Sequence, residues 1–223
     1  MFTPKAHIII IDGPKGTGRK MLAFELALAL LYNAQRTAIV LSDDSPLRQV
    51  LQKRRALLPQ LLTPNIINRN DFYNEANKYN AVIIPETTVA DELTLAASTY
   101  ITIIPQSRQS VQKFSQKRNY INSLWELKKK IAATYGRSLN WIVCENNLKE
   151  KILSAPTPEL AQMARIYGFR ASPPLNHRTA YQNNILGISA QDKSLPLLEK
   201  ELTFEDICAK REINKLAEFI FNA

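Results

Sequence analysis

HIIIIDGPKGTGRKMLAFELALALL, residues 7–31, is the stretch of sequence that decides the fold. Four consecutive isoleucines lead into Asp12, and such an unbroken β-branched run predicts a strand buried on both faces, as in a parallel sheet. The Ala- and Leu-rich segment from Lys20 to Leu31, interrupted by the single acidic residue Glu25, predicts a largely buried helix. A strand, a glycine loop and a helix N-terminus together form a site for phosphate, because backbone N–H groups converge there and the helix dipole favours negative charge.

The loop after this strand fits the phosphate-loop pattern G-x-x-x-x-G-K-[ST] in part. Gly13 and Gly18 occupy the two glycine positions, whereas Arg19 stands at the lysine position and Lys20 at the Ser/Thr position. Arginine keeps the positive charge, but its planar guanidinium does not simply replace a compact ammonium between two phosphates. A lysine at the hydroxyl position cannot ligate Mg²⁺. The spacing therefore predicts a phosphate loop with altered chemistry, and the alternative is a tight turn that only links a strand to a helix.

Strands and helices alternate along the rest of the chain. Further strands are predicted at Thr37–Leu41, Ala81–Ile84, Tyr100–Ile104, Leu139–Cys144 and Phe169–Ala171. Helices are predicted at Leu47–Leu58, Asp71–Lys78, Gln109–Tyr135, Pro158–Tyr167 and Phe204–Phe221. This alternation predicts an α/β fold, a Rossmann-like parallel sheet flanked by helices with right-handed crossovers. We find no repeat or linker, so residues 1–223 are expected to form one domain.

The composition favours polyanionic partners. The chain carries 29 Lys and Arg against 20 Asp and Glu, a net charge of +9 that suits nucleic acid, a nucleotide or an anionic membrane surface. A basic soluble protein without such a partner is the alternative.

No apolar run reaches the roughly 20 residues of a membrane span, and Met1 is followed almost at once by the first strand, so we expect no transmembrane segment and no signal peptide. Cys144 and Cys208 lie far apart without a metal-ligand spacing, which favours reduced thiols in the cytoplasm.

Six stretches occur in an order that resembles the ParA/MinD group of P-loop ATPases, and within it the MipZ family of division-plane positioning ATPases. The stretches are GPKGTGRKMLAFELALALLY (13–32), SPLRQVLQKRR (45–55), SLWELKKK (123–130), LNWIVCENNL (139–148), YGFRASPPLNHRTAY (167–181) and AKREINKL (209–216). The resemblance covers nearly the whole chain and rests on their shared order. It implies a ParA/MinD-type P-loop fold, ATP-dependent dimerisation, nucleoid DNA binding by the dimer, contact with a ParB-type centromere protein and inhibition of the division ring.

The phosphate end of the site departs from the family's pattern. The family's extra lysine, which reaches the phosphates of the partner subunit, aligns with Pro14, and Lys15 lies one position later. A rival register would make Lys15 and Lys20 the two family lysines at their usual separation. That register would place Arg19 on an obligatory glycine, so we prefer the first.

The metal end departs further. The family's second motif ends a strand in Asp-Thr-Pro, and here Pro85 stands at the aspartate position. Glu86 is adjacent, but alternation along a strand is expected to point it to the other side. With the hydroxyl, the lysine and the aspartate all replaced, we predict that Mg²⁺ is held poorly. Asp43 and Asp44, after the second strand, are the candidate catalytic residues that would orient an attacking water, and helix N-capping is their alternative role.

The base end matches the family better. Asn146 corresponds to the residue that contacts the purine, and Pro173 belongs to the loop that closes over the base. The resemblance therefore implies ATP or ADP as the cofactor. The predicted cofactor-binding residues are Gly13, Lys15, Gly16, Thr17, Gly18, Arg19, Lys20, Asn146 and Pro173.

A basic surface is the candidate DNA interface. The residues assigned to it are Lys113, Lys117, Arg118, Lys128, Lys129 and Lys130. Charge runs such as these and Lys53–Arg55 otherwise form a solvated helix face. The expected partners are non-specific nucleoid DNA, a ParB-type or division-ring protein and a second copy of the chain, in the cytoplasm or on the nucleoid.

Other chemistries lack a pattern in the sequence. His7 and His177 are the only histidines, and they show no metal-ligand or triad spacing with the cysteines. Trp125 and Trp141 are expected in the core. The leading hypothesis is a degenerate ATPase that acts by binding DNA and partners. The alternatives are an active ATP-dependent dimerising switch and a P-loop synthetase that uses ATP and a small acid.

Overall fold

Seven strands form the centre of the molecule. The computed structural model describes residues 4–105, 108–146, 154–181, 187–192 and 203–222. The strands are β1 His7–Asp12, β2 Thr37–Leu41, β3 Asn65–Asn68, β4 Ala81–Ile84, β5 Thr99–Pro105, β6 Asn140–Asn146 and β7 Arg170–Ala171. They make one parallel sheet in the order β3-β2-β4-β1-β5-β6-β7. The predicted α/β fold with a parallel sheet is confirmed.

Helices cover both faces of this sheet. They are α1 Arg19–Tyr32, α2 Pro46–Leu57, α3 Phe72–Glu75, α4 Arg108–Gln116, α5 Arg118–Tyr135, α6 Pro158–Tyr167 and α7 Phe204–Phe221, with short 3₁₀ turns at Arg69–Asp71, Ala76–Lys78 and Glu92–Ala96. Among the described residues, none of these helices combines the length and the apolar character that crossing a membrane requires.

Strand β1 is buried on both faces, as its isoleucines predict. Ile9 and Ile11 belong to the core on the side of α1 and α7, whereas Ile8 and Ile10 belong to the core on the side of α4, α5 and α6. All four side chains are inaccessible to solvent. Because β1 pairs with β4 on one side and β5 on the other, its carboxyl end lies in the middle of a sheet edge. In open parallel sheets that edge is where ligands bind.

The predicted helix over Gln109–Tyr135 is two helices. Helix α4 ends at Gln116 and α5 begins at Arg118, because Lys117 leaves the helical region (φ −77°, ψ 55°) and its N–H binds the Phe114 carbonyl three residues back. Both helices bury apolar residues against the same sheet face, and the apolar spacing runs through the break. The pattern of apolar residues was therefore unable to reveal it.

The edge strand β3 is missing from the sequence prediction. It has the sequence NIIN within an Asn-rich segment, and only Ile67 is buried. Two isoleucines between asparagines give no alternation long enough to indicate a strand. The predicted helix over Asp71–Lys78 is also interrupted, since α3 lies between two 3₁₀ turns.

Arg54 is a buried residue, so the interpretation of Lys53–Arg55 as a solvated face is wrong at this position. Its guanidinium forms a double hydrogen bond with Asp192, at 2.5 and 2.7 Å, and both side chains are inaccessible to solvent. It also donates to the carbonyls of Leu62 and Gly187. This pair anchors the segment 187–192 against α2, a contact between residues 138 positions apart that a local charge pattern does not encode.

Only one of the two tryptophans lies in the core. Trp141, on β6, is buried and donates to Thr102 Oγ1, as predicted. Trp125 is 44% exposed, so its predicted core position is wrong. Helix α5 directs Ile121, Leu124, Leu127 and Ile131 inward, and Trp125 lies at the flank of that stripe.

Candidate functional site

The loop between β1 and α1 has a backbone that only glycine adopts without strain. Gly13, Gly16 and Gly18 have φ values of 153°, 84° and 86°. A Cβ at Gly13 would lie 2.5 Å from the Ile103 carbonyl oxygen, and one at Gly18 would lie 2.7 Å from Nδ2 of Asn146. Close approach and left-handed backbone therefore both require glycine at these two positions.

The loop is folded back on itself and tied to β6. Thr17 is buried, and its hydroxyl and N–H both donate to the Pro14 carbonyl. The Asn146 amide donates to the Thr17 carbonyl at 2.8 Å. Helix α1 then begins after Gly18 with no side-chain cap and no acidic residue in its first turn. Its first N–H groups and dipole present a site suited to an anion.

A carboxylate that the sequence analysis did not select lies under the loop. Asp12 is buried, accepts the Gly13 N–H at 2.7 Å, and accepts the hydroxyls of Tyr100 and Tyr120 at 2.7 and 2.9 Å. The Arg19 guanidinium lies 3.9 Å away. Burial, together with the nearby Asp12 carboxylate, raises the pKa of both tyrosines, so they are neutral donors. An acidic residue ending an otherwise apolar strand was the available signal for Asp12.

Lys20 is held by a carboxylate from the neighbouring strand end. Its Nζ lies 2.5 Å from Oε1 of Glu86. The Glu86 carboxylate also accepts the Ser42 hydroxyl at Oε2 and the Ser45 hydroxyl at Oε1. Partial burial raises the pKa of Glu86, but the hydrogen bond and charge of Lys20 and the two serine hydroxyls outweigh it and lower that pKa below its usual value. The prediction that Glu86 points away is wrong, because β4 ends at Ile84 and strand alternation stops there.

The acidic tip after β2 lies at the same sheet edge and is open to solvent. Asp43 and Asp44 are both exposed, and Asp43 lies 3.3 Å from Arg48. The Ser42 hydroxyl, a backbone N–H and the charge of Lys20 lower the pKa of Asp44. Helix α2 begins after Ser45 without a side-chain cap, so the capping role that we weighed for this cluster is absent.

The remaining candidates for nucleotide contact do not all lie at the glycine loop. Lys15 is exposed at the tip of the loop, and Asn146 contacts the loop as described above. Pro173 instead lines a separate cavity of about 150 Å³, together with Arg211 and Glu212 of α7. Asn147 and Leu148, which end the stretch LNWIVCENNL, lie outside the described residues.

The candidate DNA-binding residues fall into two groups. Lys113 and Lys117 line a cavity of about 570 Å³ beside Asp12. The others lie along α5: Arg118 and Lys130 are exposed, Lys128 donates to the Gly168 carbonyl, and Lys129 pairs with Glu126 at 2.8 Å.

The histidines and cysteines do not form a site in the described part of the chain. His7 is half-buried and bonds the Thr99 hydroxyl, and burial together with the charge of Arg137 lowers its pKa to about 4. Burial raises the pKa of Cys144 to about 12, so its thiol is protonated. Within the described ranges, no three His, Cys, Asp or Glu side chains come together as metal ligands.

A parallel sheet of this strand order, with a glycine loop that joins its central strand to a buried helix, defines a P-loop protein of the ParA/MinD class. The model of the family "ATPase MipZ" matches residues 99–220, more than half of the chain. The chain belongs to the MipZ family of P-loop ATPases. A comparison with curated proteins finds no match.

Solved structures of the same class share the fold. The chain is similar to a MinD cell division protein of Aquifex aeolicus (TM-score 0.62, 13% identity, 98% of both chains covered). It is also similar to the septum site-determining protein MinD of Pyrococcus horikoshii complexed with Mg-ADP (TM-score 0.57, 16% identity, 97% and 96% covered). A third is a putative plasmid partition protein of Borrelia burgdorferi bound to AMPPNP (TM-score 0.56, 12% identity, 98% and 100% covered).

Two glycines of the loop allow strain and contact to be separated by experiment. Gly16 and Gly18 have nearly the same positive φ, but a Cβ at Gly16 meets nothing within 4 Å. Each alanine substitution is expected to cost about 1–2 kcal/mol for the left-handed backbone. Gly18→Ala should cost roughly 1–3 kcal/mol more, because the Asn146 amide must shift. Urea unfolding measures both variants, and equal losses would contradict the Asn146–loop contact.

Proposed function

We propose that this protein is a division-site or chromosome-partition regulator that binds nucleotide phosphate on its glycine loop with little or no ATP hydrolysis. It would act by binding DNA and a partner protein, and its self-association would not require ATP. Membership of the MipZ family supports the positioning role. The Lys20–Glu86 ion pair is the observation that carries the proposed loss of hydrolysis.

Phosphate binding is supported by the loop geometry. The backbone turns at three glycines into an uncapped helix N-terminus, and Lys15, Arg19 and Lys20 supply positive charge beside it. Two of the similar structures contain a nucleotide, Mg-ADP in one and AMPPNP in the other. We therefore infer that ATP or ADP binds here.

The residues of the proposed site are poorly suited to Mg²⁺. In P-loop proteins a Ser or Thr hydroxyl of the loop and a carboxylate hold the Mg²⁺ that bridges the phosphates. Here the ammonium of Lys20 stands at the hydroxyl position, and Pro85 stands at the carboxylate position. An ammonium has no lone pair for Mg²⁺ and repels it, and Glu86 is already engaged by that ammonium. These residues do not fit Mg²⁺, so nucleotide affinity should be nearly independent of it.

A second candidate function is a working ATPase switch. The exposed carboxylates of Asp43 and Asp44 favour it, since they lie at the strand edge beside Lys20 and the pKa of Asp44 is lowered. In that case one of them would orient the attacking water. Glu86 would have to release Lys20 and take part in holding the metal.

DNA binding is proposed for the exposed cations of α5. Arg118, Lys129 and Lys130 are exposed on one helix, and the chain as a whole is basic. Contacts of this kind are made to phosphates and carry no sequence information. Four basic residues are left out of the proposed patch. Lys113 and Lys117 line the cavity beside Asp12, Lys128 donates to the Gly168 carbonyl, and Arg54 is buried in its ion pair.

Restoring the family's residues should create the ATPase activity that the wild type lacks. We expect no magnesium-dependent turnover above background from the wild type, and measurable turnover from Arg19→Lys/Lys20→Thr/Pro85→Asp, measured by phosphate release. Because Pro85 is buried, Arg19→Lys/Lys20→Thr serves as a second variant that leaves this position unchanged. Adding Asp43→Ala/Asp44→Ala to an active variant should abolish turnover and preserve nucleotide binding. Magnesium-dependent hydrolysis by the wild type would overturn the proposal in favour of the ATPase switch.

Duplex DNA binding should be weak, independent of sequence and steeply dependent on salt. Counterion release gives a slope of about −0.9 per phosphate contact in a plot of log K against log salt. Arg118→Gln/Lys129→Gln/Lys130→Gln should therefore flatten the slope by roughly 2–3. The matched control, Lys210→Gln/Arg211→Gln/Lys215→Gln on α7, removes the same charge and should keep the slope. Filter binding measures all three proteins, and equal slopes in the two variants would rule out the α5 patch.

A further inference from the structure

One cavity beside the glycine loop has no role in the proposed function. It measures about 570 Å³ and lies between α4, the start of α5 and the ends of β1 and β5. It meets the glycine loop only at Gly13 and Pro14, on the sheet face opposite α1. Its volume falls within the range of sites that bind small molecules.

The body of the cavity is apolar. Ile104 and Phe114, both buried, form part of its wall, and Val89 and Pro105 complete it. A ligand with a hydrocarbon or aromatic body would remove this surface from water, which contributes about 25 cal/mol for each Å². The apolar lining therefore favours a ligand that is not polar throughout.

The acidic and the basic groups of the cavity lie at different depths. Asp12 and Thr102 are buried, and Tyr120 connects them by hydrogen bonds of 2.9 and 3.1 Å. Lys113, on α4, and Lys117, which lies between α4 and α5, are both exposed. The negative charge is thus at the buried end, and the two positive charges are at the solvent end.

We propose that this cavity binds a small organic acid with an apolar body, its carboxylate or other anionic group at Lys113 and Lys117. The Asp12 carboxylate repels an anion from the buried end, whereas two ammonium groups attract it at the other. The apolar part of the acid then lies against Phe114 and Ile104. The site requires none of the cations assigned to nucleotide phosphate, so it does not depend on the proposed nucleotide function.

The probe for this site is 8-anilinonaphthalene-1-sulfonate, an anion with an aromatic body whose fluorescence rises in apolar surroundings. The full-length wild type should bind one equivalent of the dye, and octanoate should displace it. Octylamine has the same chain and the opposite charge, so it should need at least about tenfold higher concentration. ATP should not displace the dye.

Three variants locate the dye. Lys113→Gln/Lys117→Gln should weaken dye and octanoate binding by about tenfold or more, since a charge-assisted bond is lost. The matched control Lys5→Gln/Lys53→Gln, at two exposed lysines that do not line the cavity, should bind as the wild type does. Ala90→Trp, on an exposed loop position that lines the cavity, should block binding without disturbing the core.

The opposite results would overturn the proposal. One is a wild type that shows no saturable binding of the dye, and another is equal affinity for the dye in the two lysine variants. Unchanged binding in Ala90→Trp, or displacement of the dye by ATP, would contradict the proposal equally. The last result would place the dye on the phosphate loop. Each measurement follows the dye, and none measures nucleotide binding or ATP turnover. Failure here therefore leaves the nucleotide proposal standing, and failure of that proposal leaves this one standing.

Discussion

The structure depends on the burial of the four isoleucines of its central strand, β1. Each isoleucine of β1 from Ile8 to Ile11 is fully buried, and burial of such a side chain contributes about 1.5–3 kcal/mol. Burial on both faces requires helices on both sides of the sheet, and pairing with β4 and β5 places β1 in its interior. The glycine loop consequently emerges between two other strand ends. Glu86 approaches it from the β4 side and Asn146 from the β6 side.

Charge balance around that loop determines what it can bind. The cations Lys15, Arg19 and Lys20 surround the helix N-terminus, but Asp12 lies 3.9 Å from Arg19 and Glu86 lies 2.5 Å from Lys20. The Lys20 side chain is 41% exposed, so solvent screens its pair with Glu86 and the pair is worth about 1 kcal/mol or less. Because an ammonium has three donors, a phosphate can bind Lys20 while Glu86 remains engaged by it. Under the proposed function, the protein would supply the neutralising cation that Mg²⁺ supplies in other P-loop proteins.

The repeating features of the fold were readable in the sequence, and the single long-range contacts were not. The β-branched run of β1 and the glycine spacing predicted the strand, the loop and the parallel sheet, because these depend on local periodicity and backbone conformation. Glu86 was misplaced because strand alternation was applied beyond the strand's end. The environments of Arg54 and Tyr120 depend on partners 138 and 108 residues away, which no local pattern encodes.

The central claim is that protein cations, and not a metal ion, neutralise the bound phosphates. Binding linkage is reciprocal. If the metal does not change the affinity of the protein for the nucleotide, the protein does not change the affinity of the nucleotide for the metal. Electron paramagnetic resonance of Mn²⁺ tests this directly, because free Mn²⁺ gives a sharp six-line signal that is lost on binding to ATP. When the protein is added to Mn²⁺ and ATP at concentrations that saturate its nucleotide site, the account predicts a free-Mn²⁺ signal that stays constant or rises. A signal that falls would show that protein and nucleotide hold the metal together, and it would contradict the account.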